Sequence, residues 1–142
     1  MVTNDTPRDG STNRSRRRSQ RRLSSSMLYR ITLLKMQVDD ATTHLKNVDQ
    51  NFSGPNGKRR INVCKTNYVT ARARFQTAWE KALNKSFSEA NILARDGANI
   101  VTNCENGWKR GGPPQISPLT LYNTNVSKLY GIISVITKKL GA

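Results

Sequence analysis

Side chains able to do acid–base, nucleophilic or metal chemistry are scarce in this chain, and their spacing suits none of the three. His44 is the only histidine, and with Cys64 and Cys104 it lacks the ligand spacing of a zinc site. Asp39 and Asp40 are neighbours, so on a helix they would point about 100° apart, a poor arrangement for a carboxylate pair acting on one bond. No P-loop, nucleotide-binding GxGxxG or GxSxG occurs, and KRGG at 109–112 reads as a flexible loop. The sequence therefore points away from catalysis, with no catalytic residue, cofactor or metal expected.

Binding chemistry is better represented. Residues 14–22, RSRRRSQRR, place six arginines in nine positions, and the 142-residue chain carries a formal charge of +15. Such a charge suits a nucleic acid, an anionic lipid or an acidic polysaccharide, because releasing counterions favours all three. Residues 1–24 hold seven basic and two acidic side chains, a net of +5, while residues 25–142 hold seventeen and seven, a net of +10. The second part is thus basic in its own right.

In the first 24 residues only Val2 and Leu23 are sizeable apolar side chains after Met1. That is too little to offset the entropy of ordering, so the expectation is a disordered Ser/Arg-rich tail. No run of seven or more apolar residues follows the arginines, which excludes a secretory targeting reading of the tail, and no stretch approaches the ~18 apolar residues of a membrane helix. The arginines fit a nuclear signal or nucleic-acid arm, or simply a solvated tail.

From residue 25 onward the apolar residues fall into four series. Met27, Ile31, Leu34, Val38, Ala41, Leu45 and Val48 alternate spacings of 4 and 3, which lines one helix face. After FSGPNG (52–57), Ile61, Cys64, Tyr68, Ala71, Phe75, Ala78 and Ala82 repeat the pattern. Phe87, Ala90, Ala94, Gly97, Val101, Cys104 and Trp108 form a third series, in which Gly97 is a weak member costing about 1 kcal/mol. Past KRGGPPQI (109–116), Ser117 is placed to cap a helix with Pro118 at its first position, carrying Leu119, Tyr122, Val126, Leu129, Ile133, Ile136 and Leu140. Four such helices with short connections predict an all-α, up-down-up-down antiparallel four-helix bundle over residues 25–142.

Within that bundle the cysteines acquire a geometry. Cys64 and Cys104 each lie 20 residues from Asn84, in the turn between the second and third helices, so an antiparallel hairpin brings them to one height. The geometry favours a disulfide and an oxidising compartment, with two buried free thiols as the alternative. Trp79 follows the stripe residue Ala78, with Arg72 and Arg74 nearby. It is either an exposed binding anchor or the cover of a gap between helices.

From Ile61 onward the run VCKTNY, an alanine-rich helix ending WEKAL, then FSEA, NCENGW, ISPLTLYN and VSKLYGIISVITKKL resembles the plant invertase and pectin methylesterase inhibitors. The most specific parts are Cys64 with Tyr68, Cys104 with Glu105, and Pro118-Leu119 with Asn123. The resemblance implies a four-helix bundle, a disulfide joining helices two and three, secretion to the cell wall or apoplast, and no catalysis. It also implies action by occluding a protein partner, a pectin methylesterase or an acid invertase. An acidic polysaccharide is a further candidate partner, nucleic acid ranks lower, and no membrane partner is expected.

The chain departs from that pattern in two places. Family members begin with a signal peptide and a short helical hairpin closed by its own disulfide, where this sequence has the arginine-rich tail. Invertase inhibitors carry Pro-Lys-Phe in the turn before helix three, whereas this chain has Lys85-Ser86-Phe87. Only the phenylalanine matches, which puts a pectin methylesterase ahead of an invertase as target. Trp79, Lys85 and Phe87 are the candidate target-binding residues, around the turn at 84–88. The rival reading is a basic helical nucleic-acid-binding or nuclear protein anchored by its arginines; the absence of a recognition-helix arrangement weighs against it. The sequons at Asn51, Asn84 and Asn125 would accept glycans in a secreted chain.

Overall fold

A computed structural model describes the backbone of residues 5–142 and the side chains of residues 13–142. Four helices follow one another: α1 (Asp5–Val48), α2 (Pro55–Leu83), α3 (Phe87–Gly107) and α4 (Thr120–Lys139), with a 3-10 turn at Asp49–Asn51. Each packs on two neighbours, α1 and α3 both lying against α2 and α4. This is the antiparallel four-helix bundle that the periodicity predicts, and no strand occurs among the described residues.

The stripes are the core. Met27, Ile31, Leu34, Val38, Ala41 and Leu45 of α1 and the whole series from Ile61 to Ala82 of α2 are buried, as are Ala90 to Trp108 of the third series. Leu119, Val126, Ile133 and Ile136 complete it from α4, while Tyr122, Leu129 and Leu140 pack at its margin. Burying each large side chain stabilises the fold by roughly 1.5–3 kcal/mol. Gly97 sits where a Cβ would meet the Phe75 ring at 2.4 Å. Its helix penalty is the cost of letting α2 and α3 approach closely.

Three boundaries differ from expectation, each for a local reason. The tail expected at 1–24 continues α1 from Asp5, with no backbone break at residue 24; residues 1–4 lie outside the described residues. Once a packed helix is nucleated, arginine, glutamine and serine extend it at one hydrogen bond per residue. Residues 13–22 are all exposed and Leu23 is the first to pack on the core, so the boundary is one of packing.

At the next boundary, FSGPNG does not wholly break the chain. Gly54 is the N-cap of α2 and Pro55 occupies its first turn, where a missing N–H is harmless. Gly57 is then a helical residue pressed on Phe52, which meets Trp108 edge-on at 5.0 Å.

At α4 the helix begins at Thr120 instead of Pro118, behind a turn. Ser117 Oγ still accepts the Leu119 N–H at 3.1 Å, doing a cap's work three residues before the helix.

The loop from α3 to α4 is pinned. Arg60, 2% exposed, donates to Gln115 Oε1 at 2.6 Å and to the Arg110 carbonyl at 2.8 Å, and Arg59 donates to the Gly111 carbonyl. KRGG is therefore tied to the start of α2. Gly111 and Gly112, with φ of 68° and 140°, supply backbone conformations that let it curl back.

Candidate functional site

The turn joining α2 to α3 is built by three backbone hydrogen bonds. Ser86 N–H donates to the Lys81 carbonyl at 2.8 Å, Lys85 N–H to Ala82 at 3.0 Å, and Asn84 N–H to Glu80 at 3.1 Å. This closure of a helix end requires a left-handed residue just past the cap, usually glycine. Lys85 fills the position with φ of 63°, at a cost of about 1 kcal/mol for a residue with a Cβ. Its side chain is exposed, while Phe87 opens α3 half-buried against the core. A Lys81–Glu89 pair at 3.1 Å spans the turn; both side chains are well solvated, so it adds little stability.

Lys85 and Phe87 share a cleft of about 150 Å³ with Gln20, Arg21 and Ser24 of α1. Trp79 is elsewhere. It lies half-buried farther back along α2, with the Lys35 ammonium 5.2 Å from its ring centroid. Lys35 also donates to Gln76 at 3.0 Å, and Arg72 bonds Asp39 at 2.9 Å along the same seam of α1 and α2. The three expected anchors thus fall into two groups, an exposed cationic turn and a half-buried tryptophan under a lysine. Arg21 was missed because the sequence reading placed it in a separate tail. The signal was the absence of any glycine or proline from residue 11 to residue 53, which lets one helix run through.

The other half of the bundle holds its covalent and polar fixings. Cys64 and Cys104 form a disulfide joining α2 to α3, with Cα atoms 4.8 Å apart. Beside it the Tyr68 hydroxyl donates to Asn123 Oδ1 at 2.7 Å, and Asn123 Nδ2 donates to Glu105 Oε1 at 2.7 Å. Ser117 Oγ donates to the same oxygen at 2.9 Å, and Thr120 Oγ1 to Glu105 Oε2 at 2.6 Å. Burial pushes the Tyr68 phenol well above its ordinary value of 10.0, and the Glu105 charge adds to the rise. The carboxylate is consumed in holding α3, α4 and their loop together.

His44 stands apart from both regions, its ring 5.4 Å from that of Tyr122. Among the described residues no group of three or more His, Cys, Asp or Glu is placed to hold a metal ion, and no helix is long and apolar enough to cross a membrane.

Fold and site define a small disulfide-stapled four-helix bundle that offers helix faces and an exposed turn. No family model matches the chain. It is 59% identical over 120 residues to pectinesterase inhibitor 5 of Arabidopsis thaliana, an alignment covering 84% of this chain and 67% of that protein. The chain belongs to the plant invertase and pectin methylesterase inhibitor family.

Proposed function

We propose that this chain is a protein inhibitor of a plant pectin methylesterase, acting by non-covalent occlusion in the cell wall and not as an enzyme itself. The observation that carries the reading is the 59% identity to a protein named pectinesterase inhibitor. Two features support it. The phenol that burial perturbs, Tyr68, is held inside a structural network and faces no cleft described above, and the disulfide suits an oxidising compartment. An acid invertase is the second choice of target, set back by the loss of proline and lysine before Phe87. The nucleic-acid reading finds no favouring feature beyond charge.

The contact surface on this reading is the α2–α3 turn with Lys85 and Phe87, extended along the α1–α2 seam to Trp79. The test is a titration of oxidised, folded protein against several plant pectin methylesterases and acid invertases. Reversible inhibition of at least one methylesterase below micromolar concentration is expected. Inhibition of invertases alone transfers the target, and inhibition of neither class at micromolar concentration sinks the reading.

A further inference from the structure

The basic segment of α1 at residues 14–22 packs no side chain into the core of the bundle. From residue 10 to residue 38 the chain carries no acidic side chain. At 3.6 residues per turn, Arg14, Arg17, Arg18, Arg21 and Arg22 fall within an arc of roughly 140° on one side of α1, and Leu23, Met27 and Ile31 lie on the other. Those five arginines are exposed, and none makes a hydrogen bond or ion pair within the described residues. They form a straight cationic ridge with one or two charges on each turn, about 5 Å apart along the axis.

Two further elements add cations beside the ridge. On one flank Lys85 lines the cleft with Arg21 over the half-buried Phe87 ring. On the other, Lys128 and Lys139 of α4 line a groove with Leu23 and Ser26. Among the described residues, none that lines either cleft is acidic. The positive charge is therefore gathered at one end of the bundle by three separate segments of chain.

The ligand can be narrowed by what the ridge lacks. Residues 13–22 contain no apolar side chain, so nothing on the ridge inserts into a bilayer, and nothing there resembles the aromatic or aliphatic anchor of a specific protein interface. Repeated cations on a straight helix suit a linear polyanion, whose affinity comes from charge neutralisation alone. The disulfide disfavours the compartments where nucleic acid is found. We propose that this end of the molecule binds a polyuronate, a sugar chain bearing one carboxylate per unit, with the arginine ridge as its main contact and Lys85, Lys128 and Lys139 at the flanks. This inference rests on the inhibitor reading for its choice of polyanion. A methylesterase acting on pectin frees carboxylates along the chain, so the inhibitor would concentrate on material its target has already processed.

Binding is measured with the full oxidised chain and no enzyme present, which separates this inference from the inhibitor reading. The probes are polygalacturonate, the same polymer fully methyl-esterified, duplex DNA, and vesicles of phosphatidylcholine with phosphatidylserine. Polygalacturonate should bind at least tenfold more tightly than the esterified polymer, and more weakly as salt rises. The variant R14Q/R17Q/R18Q/R21Q/R22Q should lose at least tenfold at unchanged melting temperature. A control, K46Q/K58Q/R95Q/K109Q/R110Q, removes the same number of exposed cations away from the ridge and should bind within twofold of the parent. Equal losses in the two variants would reduce the effect to net charge and overturn the proposal. So would tighter binding to DNA, which assigns the ridge to nucleic acid, or to the vesicles, which assigns it to a membrane surface.

Discussion

Tyr68 and Asn123 meet in the core, the phenol donating to Asn123 Oδ1 at 2.7 Å, and this one contact ties α2 to α4 across the disulfide that ties α2 to α3. Asn123 is 4% exposed and spends its amide on Glu105, so each polar atom of the pair has a protein partner. The disulfide and the network fix three helices at one end, which leaves the α2–α3 turn at the other end to its own hydrogen bonds.

Tyr68→Phe keeps the ring and removes the donor, leaving Asn123 Oδ1 buried without its partner. A buried acceptor left unsatisfied costs about 1–3 kcal/mol. Urea denaturation of the oxidised protein should show a loss in that range, and a loss below ~0.5 kcal/mol would mean that water replaces the phenol.

The same residue sets a pH dependence. Its folded pKa is raised above the unfolded value of 10.0 by burial, so its stabilising contribution is complete below pH 10. Above it the unfolded state releases the phenol proton while the folded state keeps it, and stability falls by up to ~1.4 kcal/mol per pH unit from this group. The stability gap between parent and Tyr68→Phe should therefore narrow between about pH 10 and pH 11. A constant gap would show that the phenol ionises in the fold as readily as outside it.

Reducing the Cys64–Cys104 bridge, which closes a separation of 40 residues, should lower stability by about 4 kcal/mol in the chain-entropy account. Calorimetry with and without reductant measures it. The helical circular-dichroism signal of the reduced protein at low temperature should persist, because the apolar stripes remain.

Periodicity made the bundle legible because each helix buries one face, and alternating 3 and 4 spacing is the direct consequence of 3.6 residues per turn. The shared distance of Cys64 and Cys104 from Asn84 made the bridge legible for the same reason. Arg60 was not legible, since a buried arginine bonded to a loop carbonyl and Gln115 leaves no mark in hydropathy. Neither was the continuation of α1 through the arginines, where helix extension depends on a packed nucleus that begins only at Leu23, beyond them. The placement of Lys85 and Phe87 in a cleft with Arg21 followed from that missed continuation.

Gly97 is a position where helix propensity and packing disagree. Alanine would gain up to ~1 kcal/mol of helix propensity, but its Cβ would fall 2.4 Å from Phe75 Cε1, an aromatic ring fully buried in the core. Overpacking of this kind costs about 1–3 kcal/mol, so Gly97→Ala should lower the melting temperature. A rise would mean that the Phe75 ring can move aside.

Lys85→Gly separates fold from function at the turn. The left-handed backbone with φ of 63° disfavours any residue carrying a Cβ, and glycine should relieve about 1 kcal/mol of strain while keeping the three hydrogen bonds that close α2. The exposed ammonium beside Arg21 and Phe87 disappears with it. The expected result is a more stable protein that inhibits its methylesterase less well, with association slowed more at low salt than at high, because a solvated charge acts mainly through steering. Phe87→Ala supplies the complementary measurement, since truncating a true hot spot costs at least ~2 kcal/mol of binding. Inhibition unchanged in both variants, with Lys85→Gly more stable as expected, would move the contact surface away from this turn and leave the strain there as an accident of sequence.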